Sequence, residues 1–131
     1  MGLEVEVIGA DDVVAAPPAD ETERLVALAL ASAGVEDGHI AIEYVSVDRI
    51  TELNAEHRGN DEPTDVLSFP IDGAGGEVPQ GVRELGDVVI CAEHTTDLRE
   101  AIVHGALHLV GMDHETDDGE MLVLQAEILS W

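Results

Sequence analysis

The stretch His104-Gly-Ala-Leu-His108-Leu-Val-Gly111-Met-Asp113-His114 carries more information about fold and function than any other part of this chain. On a helix, His104 and His108 project from one face, one turn apart. Gly111 can adopt the left-handed conformation that ends a helix, which would turn His114 back toward the same point. Three neutral imidazole nitrogens with a fourth position open are typical of a catalytic zinc site. The sequence therefore predicts a metal held by His104, His108 and His114, on a helix and the turn after it.

The same histidine spacing has two other interpretations. A single His on an apolar helix is ordinarily a core residue, but three at these offsets with a Gly at the turn favour a metal site. The offsets also occur in the His-Glu-x-x-His-x-x-Gly-x-x-His motif of metzincin peptidases, where the Glu is the general base. Gly105 occupies that position here and cannot deprotonate water. This residue argues against a peptidase.

Several carboxylates are candidates for supporting roles at such a site. Asp113 either orients an imidazole as its hydrogen-bond acceptor or is a helix-stop residue on an acidic surface, and both interpretations stay open. Asp61, Asp65 and Asp87 are candidates for a general base. Turn and strand-end chemistry is the competing interpretation of these three, and it is favoured for Asp61.

The charge balance of the chain is extreme. The 131 residues include 29 Asp and Glu against 5 Arg and no Lys, which gives a formal net charge of −24. The acidic residues are dispersed among periodic apolar ones, so disorder is not indicated. Such a surface is typical of proteins adapted to molar intracellular salt, as in extreme halophiles, where screening acts over about 3 Å. It argues against a partner bound through a broad basic patch.

Composition also bears on compartment and size. No apolar run is long enough for a membrane span, and the first residues lack a signal-peptide pattern. Cys91 has no second cysteine with which to form an internal disulfide, which suits a reducing cytoplasm. We expect Cys91 to be a small buried residue at the end of a strand. We expect a single domain over residues 1–131 and a cytoplasmic location.

Hydrophobic periodicity predicts an α+β fold with about four strands in a mixed sheet packed with helices. A helix capped by Asp20 and closed by Gly34 follows the first strand, and a short helix capped by Asp48 ends near Gly59. A Gly-rich connection over 72–81 makes a hairpin-like return after Pro70 stops the third strand. The predicted strands are 3–8, 39–45, 65–69 and 85–91, and later helices start near Thr96, carrying the histidines, and near Asp117, burying Met121, Leu124 and Ile128.

Residues 104–114 resemble the signature of the YbeY family of metal-dependent endoribonucleases. The upstream run from Leu53-Asn54 through Arg58 to Asp65-Val66-Leu67-Ser68-Phe69-Pro70 resembles that family's second block, and Leu85-Gly86-Asp87-Val-Val-Ile-Cys91 resembles its next strand. The resemblance covers about residues 53–114. It implies an α+β fold, one zinc ion on the three His, and single-stranded RNA as substrate, in maturation of ribosomal RNA or on a ribosomal subunit. Imidazole ligands also suit other divalent transition metals.

The resemblance assigns a second catalytic candidate beside His108. The family's Arg maps onto Arg58, whose guanidinium can bind a phosphate with two hydrogen bonds. The competing interpretation is a helix-end residue that binds the last carbonyls. The segment between Cys91 and His104 is short for the family, so we expect a truncated helix before the metal motif.

We therefore expect a zinc-dependent endoribonuclease that acts on single-stranded RNA. The alternative is a non-catalytic ribosome-assembly factor whose zinc stabilises the fold. That alternative predicts a closed coordination sphere, with His94 or Asp113 as fourth ligand. A metallopeptidase comes third, because of Gly105.

Overall fold

The computed structural model describes four strands and four main helices over residues 3–14, 16–71, 83–111 and 119–130. The strands are β1 (Leu3–Ile8), β2 (Gly38–Tyr44), β3 (Val66–Pro70) and β4 (Glu84–Ile90). The helices are α1 (Ala19–Ala31), α2 (Val47–Arg58), α3 (Leu98–Leu109) and α4 (Glu120–Ser130). Short 3-10 helices lie at Ala10–Asp12 and Ala92–His94.

The described strands form one mixed sheet in the order β1-β2-β4-β3. β1, β2 and β4 run parallel, and β3 pairs antiparallel with β4 at the edge. Parallel neighbours need a crossover connection, which α1 provides between β1 and β2. The antiparallel pairing of β3 with β4 agrees with the predicted hairpin-like return, although the Gly-rich segment itself lies outside the described residues. The predicted α+β fold with a four-stranded mixed sheet is confirmed.

Strand β3 corrects one prediction, because Pro70 belongs to the strand and does not stop it. Pro70 pairs with Gly86 of β4. An edge strand tolerates proline, since one side of its backbone has no ladder partner. Gly86 has a φ of +140°, and a Cβ there would overlap the carbonyl oxygen of Phe69. The glycine therefore permits the close approach of the two strands at this point.

The starts of α1 and α2 also differ from prediction, each by two residues. The N-cap of α1 is Pro18, not Asp20, and that of α2 is Ser46, not Asp48. The Ser46 hydroxyl accepts a hydrogen bond from the Arg49 backbone N–H at 3.1 Å. Asp20 and Asp48 lie in the first helical turn, where carboxylates favour the positive end of the helix dipole. Cap and first-turn positions prefer overlapping residue types, which explains the error.

The core lies on both faces of the sheet. A large apolar cluster packs α1, α3 and α4 on one face, and a smaller one packs α2 on the other. Cys91, fully buried in the smaller cluster, confirms its prediction as a buried strand-end cysteine. The start predicted for α4, near Asp117, lies outside the described residues.

His39 joins three strands across the face of the sheet that carries α2. Its Nδ1 donates to Glu84 Oε2 at 2.9 Å, and its Nε2 donates to Glu6 Oε1 at 3.2 Å. Both ring nitrogens can donate only in the charged imidazolium. The hydrogen bond to Glu84 is the main reason that the pKa of His39 is raised above its ordinary value.

We expect His39→Gln to destabilise the fold at acidic pH only. Because the folded-state pKa is raised, the stabilisation is fully present below the unfolded pKa of about 6.5 and is lost as pH rises through the folded value. The two carboxylates are half exposed, so the loss should not exceed about 1 kcal/mol. Chemical denaturation near pH 5.5 and near pH 9 measures this loss of unfolding free energy. The two pH values lie on either side of the ordinary histidine pKa of about 6.5.

His94→Gln is the control for this experiment, since His94 is exposed and has no carboxylate partner within the described part of the chain. An equal loss of unfolding free energy at both pH values in His39→Gln would contradict the ionic role of His39.

Candidate metal centre

Helix α3, which carries the first two histidines, begins at a strong cap. The Asp97 side chain accepts hydrogen bonds from the backbone N–H groups of Arg99 and Glu100, at 3.0 and 3.2 Å. This confirms the helix start predicted near Thr96. The cap satisfies two of the N–H groups that a helix terminus leaves unpaired.

The middle of α3 touches the sheet directly at Gly105. A Cβ on Gly105 would overlap Cγ1 of Val88 on β4, and it would lie 3.3 Å from the Ser68 hydroxyl oxygen on β3. The Ser68 hydroxyl donates to the Gly105 carbonyl at 3.0 Å. The backbone of α3 is thereby held against β3 and β4. A glutamate, which the peptidase motif requires at this position, has no room here.

His104 and His108 converge as the sequence predicts. Their Nε2 atoms lie 3.1 Å apart, and their ring centroids lie 4.6 Å apart. Two nitrogens bound to one tetrahedral zinc at the usual bond length lie about 3.3–3.4 Å apart. The pair therefore fits one ion after a small separation of the rings. Without an ion, one Nε2–H can donate to the other ring.

Gln125 of α4 contacts this pair and was not predicted. The Nδ1 atom of His104 donates to Gln125 Oε1 at 2.9 Å. Gln125 is 8% exposed and lies between the fully buried Met121 and Ile128. A polar residue on the apolar face of a helix is the signal by which the sequence could have shown it. The predicted face instead included Leu124, which is partly exposed.

The third predicted ligand, His114, and Asp113 lie outside the described residues. Gly111 has a φ of +94°, the left-handed conformation expected of the residue that ends α3. Within residues 3–14, 16–71, 83–111 and 119–130, no three His, Cys, Asp or Glu side chains are grouped to hold a metal. Two of the three predicted ligands are thus brought together, and the third stays a prediction.

Arg58, the predicted phosphate ligand, is the last residue of α2 and is exposed. The structure shows no ion pair or hydrogen bond between Arg58 and other described residues, whereas Arg24 and Arg99 both bind Glu21. No described contact joins Arg58 to His104.

Strand β3 connects the two regions. The ring centroid of His57, the residue before Arg58, lies 4.5 Å from the ring centroid of Phe69. The preceding residue, Ser68, holds α3. Successive strand residues point to opposite faces of a sheet. The end of α2, where Arg58 lies, and helix α3, which carries the histidine pair, therefore lie against opposite faces of the same edge strand.

The other candidates are not brought to the pair within the described part of the chain. Asp65 Oδ1 accepts from the Val66 backbone N–H at 2.8 Å, which is the turn chemistry that competed with a general-base role. Asp61 and His94 are exposed, Asp87 lies on β4 opposite Phe69, and no described contact joins any of them to the histidines. His94 therefore gives no support to a closed coordination sphere.

A cavity of about 1060 Å³ lies elsewhere, at the carboxyl ends of β1, β2 and β4. Tyr44 and Arg99 line it, and the residues around it do not include His104, His108 or Arg58. The predicted site is therefore not this cavity.

Among the helices in the described ranges, none is long and apolar enough to cross a membrane.

Comparisons of the sequence with known proteins point to one family, and a solved structure shares the fold. The sequence matches the family described as Endoribonuclease YbeY over residues 12–131. The Endoribonuclease YbeY of Bacillus subtilis is 34% identical over 98% of this chain and 95% of the relative. That of Azorhizobium caulinodans is 39% identical over 98% of this chain and 91% of the relative. The solution structure of TM1509 from Thermotoga maritima has a TM-score of 0.52 at 27% identity, and the match covers 96% of this chain and 87% of that one.

We expect Gly105→Ala to destabilise the protein, although alanine ordinarily stabilises a helix by about 0.5–1 kcal/mol relative to glycine. The added methyl group overlaps Val88, and overpacking of this kind costs about 1–3 kcal/mol. The free energy of unfolding, measured by denaturant titration, should fall accordingly.

Val88→Ala supplies the control in a double-mutant cycle. If the overlap causes the loss, Gly105→Ala should cost less than about 0.5 kcal/mol in the Val88→Ala background. Additive effects of the two substitutions would contradict the close contact.

Proposed function

The chain belongs to the YbeY family of endoribonucleases, and we propose that it is a metal-dependent hydrolase of single-stranded RNA whose ion is bound by His104, His108 and His114. The observation that carries the proposal is the 3.1 Å separation of the His104 and His108 Nε2 atoms. Neutral imidazoles suit zinc as well as other divalent transition metals, three of them with an open fourth position are typical of catalytic zinc, and we propose one Zn²⁺ per chain.

The proposed roles follow from the donor groups. A divalent ion bound at this site would supply Lewis acidity toward a phosphodiester and its attacking water. His104 and His108 would hold the ion from α3, and Arg58 would bind a phosphate oxygen from the end of α2. Arginine suits this role because its planar guanidinium forms two parallel hydrogen bonds with a phosphate.

We propose ribosomal RNA, free or within a ribosomal subunit, as the substrate, and maturation of that RNA in the cytoplasm as the process. The net charge of −24 repels RNA at low ionic strength. Molar salt, to which the acidic composition is suited, screens this repulsion within about 3 Å. Local groups such as Arg58 then decide binding.

The acidic surface also favours the second candidate function, a ribosome-assembly factor in which the metal has a structural role. Such a protein would bind zinc fully and leave RNA intact. A peptidase is disfavoured further, since Val88 fills the space that a glutamate at position 105 would need.

We expect His108→Ala to lose both metal and RNA cleavage. Even an outer contact to a metal ligand is worth about 10- to 100-fold in affinity or activity, so loss of a ligand should cost more. Cleavage of a single-stranded RNA is measured in molar KCl, with the metal content of each protein determined in parallel. Wild-type cleavage that survives complete removal of the metal would contradict the proposal.

We expect Arg58→Ala to keep its metal and to lose about 100- to 1,000-fold in kcat/KM, as for the loss of one donor to a transition-state oxyanion. Arg58→Lys should recover little, because lysine cannot form the two parallel hydrogen bonds. Arg49→Ala is the matched control, an arginine exposed on the same helix and 3.5 Å from Glu52. Equal losses of kcat/KM in the Arg49 and Arg58 variants would contradict a specific phosphate contact, because they would mean that Arg58 contributes only its positive charge.

A further inference from the structure

We infer that Gln125 is a positioning residue that fixes the tautomer of His104, so that Nε2 of this ring is the nitrogen offered to the metal. The inference rests on the proposed metal site. It adds to the site a residue from a second helix, α4. The spacing of the histidines on α3 does not predict this contact.

The position of the Gln125 amide is set by packing. The contact from Nδ1 of His104 to Oε1 of Gln125, at 2.9 Å, joins α3 to α4. Ile128, less than one turn along α4, is fully buried, as is Met121 one turn before. With both neighbours held in the core, α4 cannot turn the amide toward solvent without exposing apolar surface.

The chemistry of the contact selects one tautomer. A neutral imidazole carries a proton on one nitrogen and a lone pair on the other. An amide oxygen accepts hydrogen bonds and cannot donate them, so the proton lies on Nδ1 of His104. The Nε2 lone pair then points toward His108, whose Nε2 lies 3.1 Å away. Histidine ligands of metals ordinarily have such a partner on the other ring nitrogen.

An amide differs from the more common carboxylate partner in charge. The neutral amide of Gln125 takes nothing from the double charge of a divalent ion bound by His104. A buried carboxylate would reduce that charge by one, and attraction to an anionic phosphodiester would fall with it. In a chain with 29 acidic residues, glutamine at this position adds no further negative charge beside His104.

Two variants of Gln125 separate acceptor from charge. Gln125→Leu removes the acceptor at similar size, and we expect zinc affinity to fall about 10- to 100-fold, measured by competition with a chromophoric chelator. Gln125→Glu restores an acceptor, so zinc affinity should equal or exceed that of the wild type, while RNA cleavage by the zinc-loaded protein should be slower than wild type.

The tautomer is measured directly in metal-free protein by long-range ¹⁵N–¹H NMR of the imidazole rings. We expect the Nδ1–H form of His104 in the wild type, and loss of this preference in Gln125→Leu. Ile128→Val is the matched control, because it removes a methylene from the same face of α4 without touching the acceptor. It should lower the stability slightly and leave zinc affinity within about twofold of wild type.

Two results would overturn the inference. One is the Nε2–H form of His104 in metal-free wild type, which would mean that the amide presents its NH₂ group to the ring. The other is wild-type zinc affinity in Gln125→Leu. A wild-type protein that binds no zinc would contradict the proposed function, and the tautomer of His104 would still decide the role of Gln125.

Discussion

The direct contact of α3 with strands β3 and β4 depends on the absence of a side chain at residue 105. Val88 fills the space that a Cβ would occupy, and the Ser68 hydroxyl holds the Gly105 carbonyl. Together these contacts fix how far α3 lies from the sheet and how it is rotated. His104 and His108, on either side of Gly105 in the sequence, share one face of α3. Because the contact at Gly105 fixes the rotation of the helix, the sheet determines where the two imidazole nitrogens meet. The glycine that removes the peptidase base thus also positions the histidines.

Charge separates the site from the rest of the surface. The chain as a whole carries −24, yet the side chain that reaches His104 from α4 is the neutral amide of Gln125. Arg24 and Arg99 both form ion pairs with Glu21. Arg49 forms an ion pair with Glu52. Arg58 stands apart from these pairs at the end of α2. A divalent ion at the histidines and Arg58 across β3 would offer an anionic substrate two positive groups on an otherwise repulsive surface.

Local patterns in the sequence predicted those features of the structure that depend on residues close together in the chain. The alternation in β1 gave its bounds correctly, and the four-residue spacing placed His104 and His108 together. The helix caps were wrong by two residues, because Asp20 and Asp48 suit the first turn as well as the cap. Contacts between distant elements could not be predicted. Gln125 reaches His104 from α4, and His39 meets Glu6 and Glu84 from other strands, since register and helix packing decide both.

X-ray absorption at the zinc edge, on the protein loaded with one equivalent of zinc, tests most directly whether the histidines of α3 hold a catalytic ion. We predict three nitrogen ligands from imidazole and one oxygen ligand from water, all at about 2.0–2.1 Å, and no sulfur. Replacement of His114 by Ala should remove one imidazole from this shell and leave the other two. A shell that contains sulfur, that is closed by four protein ligands, or that is unchanged in His104→Ala would contradict a catalytic ion on the histidines of α3.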